Sequence, residues 1–510
     1  MTRSASALGA GLDALATRRV LCVGDLILDV EVACGAGRLS PEAPVLVFAE
    51  REHLHRPGGA ANVAANLAAL GASVTLAGVL GYDPEGEALA GQMRGLGIET
   101  VTSIGDEEAR PTTRKTRFVA DGQQLLRIDR ETTRPIGQSS VESLMDRIEQ
   151  AGARFDVILV SDYGKGVVTG RLMERCLALA ARCGAKLLVD PKGDAWDRYG
   201  PVDCIKPNAR ELAAFTGFPC DTDMEIERAL QAALDNCGTE AMLVTRAGHG
   251  ASLIRRDMHG VQHFRARPVE VADVCGAGDT NLAALGGMLA AGLILEDAIE
   301  IAQLASGLAV QRHGTAVVSA SELLEASVAT ERQTGTRGKC LGGEALYALL
   351  RVWRWLGLRV GFTNGCFDLF HPGQIDTLET ARQACDRLVV GLNSDASVRR
   401  LKGATRPVVG ERDRARVLAG LSAVDAVVLF DEDTPESLIA RIRPDVLVKG
   451  GDYDPATLAG GALVESYGGR VFVTDLLPGR STSRILGAIE RQAGAPIPSL
   501  PFHPGDYHAS

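Results

Sequence analysis

Residues 271–290 read VADVCGAGDTNLAALGGMLA. Gly276, Ala277 and Gly278 stand directly before Asp279, and an Ala/Leu-rich helical stretch follows at once. Small residues let a ligand approach the backbone closely. The unpaired amides and the dipole of a helix start make a ready anion site. An aspartate at that point has two readings. It is an ordinary helix N-cap, or it is a general base that takes the proton of a hydroxyl attacking a bound phosphate.

Neighbouring segments favour the second reading. Pro57-Gly58-Gly59-Ala60-Ala61-Asn62 opens another Ala-rich helix and offers a second nest of backbone amides. Asp25 closes the apolar run VLCVGD (20–25), and open α/β sheets bind ligands beyond the carboxyl ends of their strands. Lys206-Pro207-Asn208-Ala209-Arg210-Glu211 begins a further helix after a strand. Asn208 and Glu211, three apart, share a helical face and could hold a metal-bound phosphate. No G-x-x-x-x-G-K-[ST] occurs, which excludes a P-loop enzyme, and no G-x-G-x-x-G follows a strand, which weakens a dinucleotide-dehydrogenase reading.

The surrounding chain is an ordinary globular one. It has 510 residues, 46% hydrophobic and 23% charged, with 58 glycines and only 4% aromatics, so its cores must be mostly Ala, Val, Leu and Ile. The formal net charge of −10 argues against nucleic acid as a partner. Eleven cysteines occur without a C-x-x-C pair, which predicts buried reduced thiols rather than disulfides or zinc, and a cytoplasmic protein. The N-terminus lacks a signal-peptide apolar region, and no stretch is long and apolar enough to span a bilayer.

Short Val/Ile/Leu runs alternate with Ala/Leu-rich amphipathic stretches along the whole chain. The runs at 20–25, 156–162, 185–190, 241–245, 359–365, 387–395, 426–430 and 445–452 are continuously apolar rather than alternating. That pattern predicts strands buried on both faces, as in a parallel sheet covered by helices. Residues 112–130, TTRKTRFVADGQQLLRIDR, differ: two polar-apolar segments flank Asp121-Gly122 and predict an antiparallel hairpin, a candidate lid. The aperiodic segment ATERQTGTRGKCLGG (329–343) reads as a linker, and the Pro-rich residues from 493 read as an extended tail. The expected division is residues 1–330, a linker and entry helix over 331–355, a second domain over 356–492, and a tail over 493–510.

RPGGAANVAANLAALG and DVCGAGDTN resemble the two motifs of the ribokinase-like sugar kinase family, over roughly residues 18–325. The resemblance implies an α/β/α sandwich with a small β lid, built from RLSPEAPV (38–45) and the 112–130 hairpin. It implies that Asp279 is the base and that the amides of Gly276, Ala277 and Gly278 form the anion hole. Asn208, Ala209, Arg210 and Glu211 would contact ATP and its Mg2+, Glu211 being the one possible metal contact and no metal ligand being certain. Thr245 and Gly248, in Thr245-Arg246-Ala247-Gly248, would lie under the nucleotide. Asp25, Gly58, Gly59 and Asn62 would bind the sugar. Lys165 (SDYGKG) and Lys192 (DPKG) read equally as phosphate contacts and as solvated surface lysines. Lid sheets of this family often pair between subunits, which implies a homodimer.

The second half carries RVGFTNGCFDLFHPGQID (359–376), where a strand ends at Asn364-Gly365 and His371 precedes a helix. A histidine there can donate to a phosphate held at the helix start. Asn393-Ser394-Asp395, Arg399 to Gly403, Val448 to Asp452 and Gly479 to Ser483 each follow a strand or open a helix, and together they ring one sheet edge. This half resembles the nucleotidyltransferase family that carries an H-x-G-H motif, which implies a smaller Rossmann-like domain. Lys402 and the helix start at Ser481, Thr482 and Ser483 would hold the triphosphate. The second motif histidine is Gln374 here, which can donate a hydrogen bond but carries no charge. Taken in order, the halves resemble the bifunctional heptose 7-phosphate kinase/heptose 1-phosphate adenylyltransferases, and the matches include SDYGKG, NSDASVRRLKG and LVKGGDY. That implies ATP and sugar phosphates as ligands and ADP-heptose for the lipopolysaccharide core as product. An active kinase joined to a weak or merely nucleotide-binding second domain stays open as the alternative.

Overall fold

The computed structural model describes residues 4–35, 37–104, 110–120, 122–150, 154–333, 339–450 and 458–474. The chain divides into two compact units, residues 2–327 and residues 328–510.

Among the described residues the first unit is built on a nine-stranded sheet. Its order is Val261–Phe264, Ala251–Arg255, Ala241–Thr245, Cys204–Ile205, Lys186–Asp190, Val157–Ser161, Arg19–Gly24, Ser73–Leu80 and Glu99–Ile104. The central strands pair in parallel, Val20 beside Val157 and Val74, and Ile158 beside Leu187. Val157–Ser161 is buried throughout, because helices cover both faces of the sheet. Ala251–Arg255 and Val261–Phe264 are antiparallel. The sequence pattern did not signal this edge hairpin, since polar residues interrupt the apolar ones in both ASLIR and VQHF.

A four-stranded sheet, ordered Glu50–Gly59, Leu26–Cys34, Thr113–Ala120 and Gln123–Arg130, forms the lid. The expected 112–130 hairpin is present, with Ala120 opposite Gln123. The 38–45 segment takes a different place. Arg38–Leu39 pairs with Leu46–Val47 in a separate two-stranded sheet, and the lid's central strand is Leu26–Cys34.

The second unit has a five-stranded parallel sheet among its described residues, ordered Ala426–Phe430, Arg387–Asn393, Val360–Gly365, Val446–Gly450 and Arg470–Thr474. Order reverses beside Val360–Gly365, and open sheets bind ligands at such a switch point. The helix Ala320–Gln333 runs across residue 330, and Gly343–Trp355 leads into the sheet. The predicted tail from 493 lies outside the described residues. The eleven cysteines are thiols, six of them buried, while Cys340 is exposed. Among the described residues no helix is long and apolar enough to cross a membrane.

Candidate active sites

In the first unit, Asp279 lies in the opening turn of the helix Ala277–Ala290 and is buried. Gly276 caps this helix at φ +75, a left-handed conformation that glycine adopts without strain. A Cβ there would stand 2.8 Å from the Asn62 side-chain nitrogen. The small residue therefore lets two helix starts meet. Asn62 Nδ2 donates to Asp279 Oδ2 at 2.9 Å, and the Tyr163 hydroxyl donates to Oδ1 at 2.8 Å. Burial pushes the Asp279 carboxyl up to about 7, against the pull of these two donors and of Lys206, with Asp190 adding to the rise. A carboxyl titrating near neutrality suits a general base, which must be ionised yet basic enough to accept a proton.

Asn62 sits in the first turns of the helix Ala60–Ala69, and its orientation is fixed from behind. The Val318 amide donates to Asn66 Oδ1 at 3.0 Å, and Asn66 Nδ2 donates to Asn62 Oδ1 at 3.1 Å. Asn62 is thus left with its N–H groups toward Asp279. Gly58 and Gly59 end the strand that lies against Leu26–Cys34. A Cβ on Gly58 would stand 2.5 Å from Asp29 Oδ2, and one on Gly59 2.5 Å from the Asp25 carbonyl.

Asp25, expected as a sugar contact, braces a loop. Its Oδ2 accepts from the Tyr163 and Lys165 amides at 2.7 and 3.0 Å, and Oδ1 accepts from the Val167 amide at 3.2 Å. It pins the loop after Val157–Ser161. Asp29, on the lid strand Leu26–Cys34, is paired with Arg117 at 2.6 Å.

Asn208 caps the helix Ala209–Thr216 in a reciprocal capping box with Glu211. It forms a bridge to Thr245, so Asn208, Ala209, Arg210, Glu211 and Thr245 come together in the fold. Gly248 lies in the next turn, where a Cβ would meet nothing within 4 Å. Glu211 Oε1 pairs with Lys192 Nζ at 2.8 Å. Lys206, missed as a site residue, is buried and pairs with Asp190 Oδ2 at 2.9 Å beside Gly278. Lys165 pairs with Glu131 at 2.7 Å.

In the second unit, His371 caps the helix Pro372–Gln383, and Gln374 Oε1 accepts from its amide at 3.3 Å. That leaves the Gln374 side-chain N–H groups, among the described residues, free to donate at the helix start. Burial lowers the His371 imidazole below its usual range, and its Nδ1 finds no partner among the described residues. Lys449 Nζ donates to Asn364 Oδ1 at 2.9 Å; burial lowers it to about 8, and nearby Lys402 adds to that fall. Lys402 itself is exposed at the end of Asp395–Lys402. Burial raises the Cys366 thiol against the opposing pull of Lys402, Arg414, Lys449 and Arg406, so four cations converge on the turn after Val360–Gly365. Buried Asp368 pairs with Arg406 and accepts from the Val408 and Val409 amides at 2.7 and 3.0 Å. Buried Arg414 donates to Asp395 at 2.7 Å and to the Cys366 carbonyl. Ser481, Thr482 and Ser483 lie outside the described residues. Among the described residues no three His, Cys, Asp or Glu side chains cluster as a metal site.

Residues 17–322 match the model of the pfkB family carbohydrate kinases, and residues 362–485 match a cytidylyltransferase-like family. The chain is 47% identical over 482 residues to the bifunctional protein HldE of Hyphomonas neptunium, covering 94% of this chain and 98% of that one. It is 46% identical to that of Rhodopseudomonas palustris, covering 93% and 97%. The chain belongs to the bifunctional HldE family. The first unit has the fold of phosphofructokinase-2 from Escherichia coli, at 20% identity and a TM-score of 0.51 over 61% of this chain and 98% of that one. For an HldE-family chain, the residues that sequence reading passed over are those that position others: Asp29, Asn66, Lys206, Asp368 and Arg414. Their signal was faint, because a buried ion pair or amide relay joins residues far apart in the sequence.

Proposed function

We infer that the chain is a bifunctional enzyme of ADP-heptose synthesis. Its first unit transfers the γ-phosphoryl group of ATP to the C1 hydroxyl of D-glycero-D-manno-heptose 7-phosphate. Its second unit transfers AMP from ATP to heptose 1-phosphate, releasing pyrophosphate, and a separate phosphatase acts between the two steps. The observation that carries the kinase reading is the buried Asp279 carboxyl, titrating near 7 at a glycine-capped helix start. Asp279 removes the C1 hydroxyl proton as the oxygen attacks. The amides of Gly276, Ala277 and Gly278 face the charge on the moving phosphoryl group. Asn208, Ala209, Arg210, Glu211, Thr245 and Gly248 hold ATP, and Gly58, Gly59 and Asn62 hold the sugar. Glu211, fixed by its capping box and Lys192, suits water-mediated contact with the Mg2+ that travels with ATP and neutralises its phosphates.

In the second unit the nucleophile is a phosphate oxygen, already ionised. Its site needs cations and donors rather than a base. His371, Gln374, Lys402 and the 481–483 segment fill those roles, and the catalytic divisions follow residues 1–330 and 356–492. The free N–H groups of Gln374 support a working adenylyltransferase over a mere binding module. The exposed Leu125, Leu126 and Ile128 on the lid support a homodimer, and the thiol-bearing, acidic chain supports a cytoplasmic location.

Mass analysis after incubation with ATP, Mg2+ and heptose 7-phosphate tests this. A 1,7-bisphosphate is expected alone, and ADP-heptose with pyrophosphate when the phosphatase is added. No bisphosphate would overturn the kinase reading. Accumulation of heptose 1-phosphate would leave the second unit a binding module.

A further inference from the structure

We propose that Tyr163 is a positioning residue of the kinase site: its phenol, by donating to Oδ1, aims the Asp279 carboxylate at the sugar's acceptor hydroxyl. This rests on Asp279 being the base. The phenol is 2.8 Å from Asp279 Oδ1, while Asn62 takes Oδ2 at 2.9 Å. Both oxygens therefore face a neutral donor in a buried setting, and the carboxylate keeps lone pairs for an incoming hydroxyl.

The loop that carries Tyr163 is held rigidly. Asp25 accepts from the amides of Tyr163, Lys165 and Val167, and Asp162 Oδ1 accepts from the Gly164 amide at 2.7 Å. The ring is also reached from the lid, where Lys115 Nζ on Thr113–Ala120 lies 5.5 Å from its centroid. A lid strand, the phenol and the base thus form one chain of contacts, and movement of the lid over a bound sugar bears directly on the phenol. Burial keeps the phenol protonated far beyond neutral pH, so it acts as a donor. The groups facing Asp279 are Asn62 from Ala60–Ala69, Tyr163 from the pinned loop, Asp190 from Lys186–Asp190 and Lys206 ahead of Ala209–Thr216. Lys115 and Asp29 from the lid face the phenol rather than the carboxylate.

A donor to a carboxylate stabilises its charged form and lowers its pKa. Tyr163→Phe keeps the ring and removes that donor. Its acid limb in the pH profile of kinase kcat/KM should move up by about one pH unit, the size expected for one hydrogen bond to a charge. Replacing Tyr163 with 3-fluorotyrosine, a stronger donor, should move the limb down, and this variant decides the matter if the phenylalanine protein folds poorly. Loss of rate with an unmoved acid limb in both variants overturns the proposal. An Asp279→Asn protein run beside them separates the premises: full kinase activity there would overturn the base assignment itself, whereas an inactive Asp279→Asn with unmoved Tyr163 profiles overturns only the role of the phenol.

Discussion

Asp279→Asn should make the first unit more stable at alkaline pH while removing its kinase activity. The side chain is buried, and its carboxyl titrates near 7 in the folded unit against an ordinary 3.8. Between those values the folded state retains a proton that the unfolded chain releases. The destabilisation is therefore absent below about pH 4, grows as pH rises through the window, and is complete above about pH 7. At ~1.4 kcal/mol per pH unit the full effect is about 4 kcal/mol. Asparagine has no charge to bury, so it escapes this term. It loses one good acceptor, because its amide N–H must face either Asn62 or Tyr163, at ~1–3 kcal/mol. The net gain at pH 8 is about 1–3 kcal/mol. The change in that gain between pH 5 and pH 8 is about 3 kcal/mol whatever the hydrogen-bond cost. Denaturant unfolding read by pulsed hydrogen exchange, on peptides from residues 2–327, measures both. Kinase kcat/KM should fall by ~10²–10⁴ with adenylyl transfer intact. A stability difference that does not vary with pH would refute the argument, as would a variant that gains on the wild type toward acid. Equal loss of both activities would refute the separation of the sites.

Two further outcomes belong to the second unit. Lys449, lowered to about 8, is cationic below that pH and neutral above it, so adenylyl-transfer kcat/KM should decline on the alkaline side of about pH 8. Lys449→Met should lower the rate and abolish that limb, and an unchanged alkaline limb would exclude Lys449 as its source. Asp368→Ala takes the partner from partly buried Arg406 and from the Val408 and Val409 amides, which should cost about 1–3 kcal/mol. Pulsed exchange on peptides from residues 328–510 should show earlier unfolding, with kinase activity unchanged.

The strand runs read from the sequence lie where the sheets have them, from Arg19–Gly24 to Val446–Gly450, because a strand buried on both faces needs an unbroken apolar run. Leu26–Cys34 was not separable in the same way. LILDVEVAC continues the apolar character of VLCVG across Asp25, so nothing local marks the passage from the main sheet to the lid. The site was legible where backbone and motif coincide, at Gly276 to Asp279 and Asn208 to Glu211. It was obscure where a role depends on a distant partner. Asp25 looked like a ligand contact at a strand end, and only the folded loop reveals three amides converging on its carboxylate. Lys206 drew no reading of its own in the sequence, and only the fold sets it beside Asp190.

The two sites solve opposite electrostatic problems within one acidic chain. A sugar hydroxyl must lose a proton to attack, so the first site buries a carboxyl among neutral donors and lets desolvation raise it to about 7, while the nearby cation Lys206 is matched by Asp190. A sugar phosphate brings its own negative charge, so a second buried base would repel it. The turn after Val360–Gly365 instead gathers Lys402, Arg406, Arg414 and Lys449, with Asp368 and Asp395 turned onto Arg406 and Arg414. Those two carboxylates hold the arginines in place, whereas Lys402 and Lys449 have no such acid among the described residues. The depressed Lys449 fits that arrangement: among the described residues it has no acid beside it, and a bound triphosphate would supply the missing charge. Both sites lie at helix starts, and the sign of the buried charge beside each start distinguishes a site that deprotonates its nucleophile from one that receives it already ionised.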